Sequence, residues 1–148
     1  MQPWLVHCDG SAMPNPGRMG LGAVIVAPDG TRHTLSQAMH DRGCNNEAEL
    51  RALMAALREA RGLGADQLLI RSDNSLLVEQ LGTAPAKPVE RLAPLFDEAR
   101  ALLRSFDAAA LEWIPRHRNG AADALARAAL GVAPKRVVDK SSRNRRRR

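Results

Sequence analysis

The 148-residue chain is short of cysteine, aromatic residues and long apolar runs, and each shortage narrows what it can be. Two cysteines, Cys8 and Cys44, are too few for a disulfide framework or a thiolate metal cage. Tyrosine is absent and aromatics make up 3% of the chain. Trp4, Trp113, Phe96 and Phe106 fall mostly at core-like positions, so base or sugar stacking is not supported. No apolar run approaches the roughly 20 residues a membrane span needs, so no membrane partner is expected. The start, MQPWLVHCDG, lacks the basic beginning and long apolar stretch of a signal peptide. A soluble, cytoplasmic protein is expected.

What remains is an ordinary globular composition, 45% hydrophobic and 26% charged. A chain of this length buries enough surface to fold without staples, and the absence of an exposed apolar face in the pattern suggests a monomer. The net charge of +6 is unevenly placed. From Pro134 onward eight basic residues face Asp139 alone, whereas the preceding 133 residues carry 14 basic against 15 acidic side chains. Residues 1–133 therefore read as the folded domain and residues 134–148 as an Arg-rich tail expected to be disordered. Such a tail suits an electrostatic grip on nucleic-acid phosphates, weakening with salt, or a solubilising role.

Residues 3–9 form a short apolar run ending in Asp-Gly, a strand and turn. After the Gly/Pro-rich stretch SAMPNPGRMG, the segments LGAVIVA and TRHTLSQAM flank Pro28-Asp29-Gly30 and predict a hairpin. From Asn45, Leu50, Leu53, Met54 and Leu57 recur at helical spacing up to Gly62 and Gly64. QLLIRSD then predicts a buried strand followed by a short helix. Leu92, Leu95, Phe96, Ala99, Leu102 and Leu103 mark a second long helix, AALEWIPRH a last strand and AADALARAAL a last helix. Strands first, then strands alternating with helices, imply an α/β fold with a mixed sheet.

Four acids sit near element ends: Asp9 at the end of the first strand, Glu49 early in the long helix, Asp73 after the fourth strand, and Asp123 at the start of the last helix. Each has a structural alternative, since Asp73 and Asp123 suit helix N-termini and Asp9 suits a turn. Glu47 has Arg51 four residues on, the spacing of a solvated ion pair. Glu49 has Leu53 there, and a carboxylate leaning on an apolar stripe is costly unless a partner arrives from elsewhere. If these acids converge, the cluster suits a hard divalent cation, with magnesium the expected occupant.

Asp9-Gly-Ser ahead of Asn15-Pro-Gly, Asn45-Asn46-Glu47-Ala48-Glu49-Leu50, Ser72-Asp73-Asn74, and Trp113-Ile114-Pro-Arg-His117 with Ala122-Asp123-Ala-Leu-Ala together resemble ribonuclease H of type 1. The resemblance runs in order from about Trp4 to Leu130. It implies a ribonuclease H-like fold, a five-stranded mixed sheet whose first three strands are antiparallel, flanked by helices. It implies hydrolysis of the RNA strand of RNA–DNA hybrids, with Asp9, Glu49, Asp73 and Asp123 as catalytic, metal-binding carboxylates. Two magnesium ions about 4 Å apart, with manganese able to substitute, would activate a water and stabilise the departing oxygen. His117 matches a loop histidine implied to shuttle protons or aid product release. Asn15 and Asn45 match positions contacting the RNA strand, though Asn15 also suits its turn, and Asn45 or Asn46 a helix N-cap. The backbone of the Gly10–Gly17 loop, Gly10 and Ser11 included, offers further contacts. Two features depart from the pattern. The stretch LGTAPAKPVERLAPLF has only Lys87 and Arg91 as cations and no tryptophan, and Cys44 stands where a hydroxyl residue near the DNA phosphate is common. The tail is expected to supply the missing grip. The competing expectation is a non-cleaving RNA- or hybrid-binding module of the same fold.

Overall fold

A computed structural model describes residues 2–82 and 87–133. Three strands come first, β1 (Trp4–Met13), β2 (Gly17–Val26) and β3 (Arg32–Gly43), followed by helix α1 (Asn45–Gly62). Then come β4 (Gln67–Ser72), α2 (Ser75–Leu81), α3 (Ala93–Arg104), β5 (Ala108–Trp113) and α4 (Gly120–Ala129). The sheet order is β3-β2-β1-β4-β5. β1, β2 and β3 pair antiparallel, while β4 runs parallel to both β1 and β5. This is the mixed sheet that the order of elements implied.

The Gly/Pro-rich stretch is less of a loop than its composition suggests. Ser11, Ala12 and Met13 continue β1 opposite Gly20, Met19 and Arg18, leaving only Pro14–Pro16 as a turn. Asp9 therefore lies in mid-strand instead of at a strand end, because the facing strand supplies ladder partners well past it. The last strand, in contrast, stops at Trp113, two residues before Pro115, which has no N–H to donate.

One face of the sheet carries the core, where Val6, Cys8, Ile25 and Ile70 meet Leu50, Leu53 and Leu57 of α1 and Phe96 of α3. Each such fully buried aliphatic side chain contributes about 1.5–3 kcal/mol. α4 crosses the other face over β2, against Gly22, where a Cβ would strike the Ala122 carbonyl. Trp113 is not a core residue: it is 52% exposed, with its indole N–H donating to the Asp73 carbonyl at 3.2 Å. No described helix is long and apolar enough to cross a membrane. The basic segment 134–148 lies outside the described residues.

Candidate active site

The sheet register brings the first two acids together. The last rung between β1 and β4 pairs His7 with Arg71, so Asp9 and Asp73, each two residues further on, reach the same level as the strands part. Glu49 arrives from α1, whose backbone lies so close to β1 that a Cβ on Gly10 would run into Ala48. One carboxylate oxygen from each of Asp9, Glu49 and Asp73 lies within 4.8 Å of the other two. Asp9 and Glu49 are buried, and Glu49 Oε2 has no hydrogen-bond partner among the described residues.

Burial sets the electrostatics. It pushes the Asp9 carboxyl up to about 7; the negative charges of Asp73 and Asp123 add to this, and a hydrogen bond with Glu49 partly offsets it. Burial likewise drives Glu49 well above the usual carboxylate range, helped by Asp9 and Asp73, with the Gly10 backbone N–H pulling the other way. The neighbouring Cys8 thiol is raised by burial and then by Glu49, Asp9 and Asp73. Like charges gathered out of water resist ionisation until a positive charge joins them.

Asp123 lines the same cleft, of about 530 Å³, and acts on Asp9, but it is not one of the three acids whose oxygens lie within 4.8 Å of one another. Arg127, one helical turn on, approaches its carboxylate at 3.3 Å, with both side chains largely buried. Four carboxylates were expected to gather; among the described residues three have no arginine partner and the fourth has one. The structural alternatives divide. The N-cap of α2 is Asn74, which accepts from the Leu77 N–H at 3.2 Å, and not Asp73. Asp123 does lie in the first turn of α4, at the positive end of its helix, and also faces Arg127. Glu47 pairs with Arg51 at 2.8 Å, as its spacing predicted.

Asn15 and Asn45 line the cleft, and their side-chain oxygens also brace it. Asn45 Oδ1 accepts from the Ala12 N–H at 2.9 Å, and Asn15 Oδ1 accepts from the Asn45 N–H at 3.1 Å. The β1–β2 turn is thereby tied to the start of α1. The N-cap of α1 is neither Asn45 nor Asn46 but Cys44, whose Sγ accepts from the Glu47 N–H at 3.4 Å. Burial opposes ionisation of that thiol, yet hydrogen bonds from Arg91 and the Glu47 N–H leave it lowered overall. Gly10 and Ser11 line the cleft too. His117 sits exposed on the 3-10 turn Arg116–Arg118, and of that turn it is Arg116 that lines the cleft.

Sequence reasoning missed three residues. Arg127 was within reach, because its spacing from Asp123 is that of Arg51 from Glu47. Arg116 read only as part of a basic loop. Asn119, 1% exposed, donates through Nδ2 to Asp73 Oδ2 at 3.1 Å and to the Cys8 carbonyl at 2.9 Å. An Asn-Gly pair ahead of a helix reads as a cap, and nothing local reveals those two partners.

A five-stranded mixed sheet that gathers buried carboxylates where β1 and β4 part defines the class, a ribonuclease H-like domain. Residues 7–129 match the family model described as "Reverse transcriptase-like". The chain belongs to that family, among its ribonuclease H type 1-like members. It is 38% identical over 127 residues to ribonuclease HI of Halobacterium salinarum, covering 86% of this chain and 64% of that protein. The crystal structure of RNase H1 from that archaeon superposes with a TM-score of 0.82 at 35% identity, over 88% of this chain and 98% of the other. Bifunctional protein Rv2228c of Mycobacterium tuberculosis is 37% identical over 130 residues, 87% of this chain but 36% of its own length. LC11-RNase H1 in complex with RNA/DNA hybrid has a TM-score of 0.76 at 29% identity, covering 86% and 96%. The chain thus spans less than two thirds of these two curated relatives and nearly all of the two solved domains.

Proposed function

We propose that this chain is an endoribonuclease that hydrolyses the RNA strand of RNA–DNA hybrids with the help of divalent cations. The observation that carries this reading is the trio Asp9, Glu49 and Asp73, two of them buried, with no ion-pair partner and with Glu49 Oε2 unpartnered among the described residues. Hard carboxylate oxygens fit magnesium, with manganese as substitute, and the orphaned oxygen marks where a cation is missing from the balance of charge. Bound there, a pair of ions supplies a water of lowered pKa and charge stabilisation at the phosphoryl group.

The chain's own residues do the rest. Asp9, Glu49 and Asp73 hold the cations, and Asp123 flanks them with its charge moderated by Arg127. With their Oδ1 atoms engaged in bracing, Asn15 and Asn45 present their amide N–H groups to the RNA strand, whose 2′-hydroxyl accepts as well as donates. Ser11 and the adjoining backbone of Gly10 complete that wall. His117, exposed on its turn, is placed to exchange protons with solvent and assist product release. Residues 1–133 form the catalytic domain, and the Arg-rich segment 134–148 holds nucleic-acid phosphates. The non-cleaving alternative draws on one observation, the Arg127–Asp123 pair, which leaves three acids in place of four without an ion-pair partner among the described residues.

Cleavage of a labelled hybrid with magnesium or manganese, by wild type and by Asp73→Asn, decides between them. Wild-type cutting that falls by about 100-fold or more in the variant supports the enzyme. Tight hybrid binding without cutting by either protein replaces it with the binding module.

A further inference from the structure

We infer that Asn119 is a positioning residue for the metal-binding site: it closes the fork between β1 and β4 and holds Asp73 in register with Asp9. The inference rests on the reading of the carboxylates given above. The β1–β4 ladder ends at His7 and Arg71, and the next β1 residue, Cys8, offers its carbonyl where the ladder has stopped. Asn119 fills that position, its Nδ2 reaching both the Cys8 carbonyl at 2.9 Å and Asp73 Oδ2 at 3.1 Å. Both partners can only accept, given an ionised Asp73, so the amide orientation is fixed by its neighbours: nitrogen inward. Oδ1 is left buried without a partner among the described residues, a cost tolerated for this orientation.

The arrangement does three things at once. A neutral donor stabilises the charge on Asp73 without adding a positive charge that competes with a cation. One Asp73 oxygen is held in place while the carboxylate stays within 4.8 Å of Asp9 and Glu49. Asn119 also begins α4, its carbonyl accepting from the Asp123 N–H at 3.1 Å, so the fourth acid is indexed to the same anchor. Partners that orient metal ligands in this way typically change metal affinity or activity by about 10–100-fold when removed.

The test uses the full chain without nucleic acid, following the melting temperature across a magnesium titration for wild type, Asn119→Ser and Asn119→Ala. Removing both donors in Asn119→Ala should raise the magnesium concentration needed for stabilisation by about 10-fold or more, with the single-donor Asn119→Ser in between. Any loss of melting temperature in chelator measures the structural share separately. In cleavage of the hybrid, kcat should fall while KM stays near the wild-type value. A folded Asn119→Ala with wild-type magnesium response overturns the inference; if that variant fails to fold, a wild-type response in Asn119→Ser does the same. Wild type showing no magnesium response at all instead overturns the reading of the carboxylates.

Discussion

The two sides of the cleft treat the same functional group in opposite ways. On the side built by β1, α1 and β4, Asp9, Glu49 and Asp73 crowd together, with no arginine or lysine among the described residues paired to them. On the α4 side, Asp123 is neutralised one turn along its own helix by Arg127. The first arrangement stores unfavourable electrostatic energy that an external cation would relieve; the second is settled internally. A carboxylate is marked as a ligand less by its identity than by the absence of a local partner.

The largest effect that breaks this contrast comes from neutralising one acid on each side. Asp9→Asn removes a buried like charge and should abolish hybrid cleavage, yet raise the melting temperature in chelator by about 2–4 °C per kcal/mol relieved. Asp123→Asn strands the largely buried Arg127 and should lower the melting temperature, so opposite signs in the same calorimeter sharpen the contrast.

The trio should also be visible in the pH dependence of stability. The folded pKa of Asp9, about 7, exceeds its ordinary value of 3.8, so the folded protein retains a proton that the unfolded chain releases. Stability from this group is complete below about pH 4 and is lost as pH rises through about 7. Without metal the melting temperature should decline across that window. Saturating magnesium should flatten the decline, because cation binding takes the place of the proton.

Two smaller effects bound the comparison. Deleting residues 134–148 should raise KM for hybrid several-fold and flatten its salt dependence without altering kcat; an unchanged salt slope removes the tail from substrate binding. Glu47→Gln, which breaks only the partly exposed pair with Arg51, should shift stability by about 0.5 kcal/mol or less in denaturant unfolding.

Much of the site was legible because its logic is local. The distinction between Glu49 and Glu47 needed only helix spacing: in the structure Glu47 meets Arg51, and Glu49 lies beside Asp9 and Asp73. The same spacing rule applied to Asp123 would have found Arg127. The placement of Asp9 was less legible, because whether a Gly/Pro-rich segment continues a strand depends on what faces it. Cys44 took the helix cap ahead of two asparagines, since Asn45 is held by Ala12 and Asn46 by Asn74.

From its sequence alone, this protein's elements, their order and the residues carrying its acids follow from hydrophobic period, turn chemistry and i,i+4 spacing, all interactions between near neighbours along the chain. The depth of Asp9, the exposure of Trp113 and the partners of Asn119 were decided by tertiary structure. Cys8 and Asn119 lie 111 positions apart. Their contact exists only because two parallel strands diverge at one level of the sheet, a property of strand order that no local stretch of sequence contains.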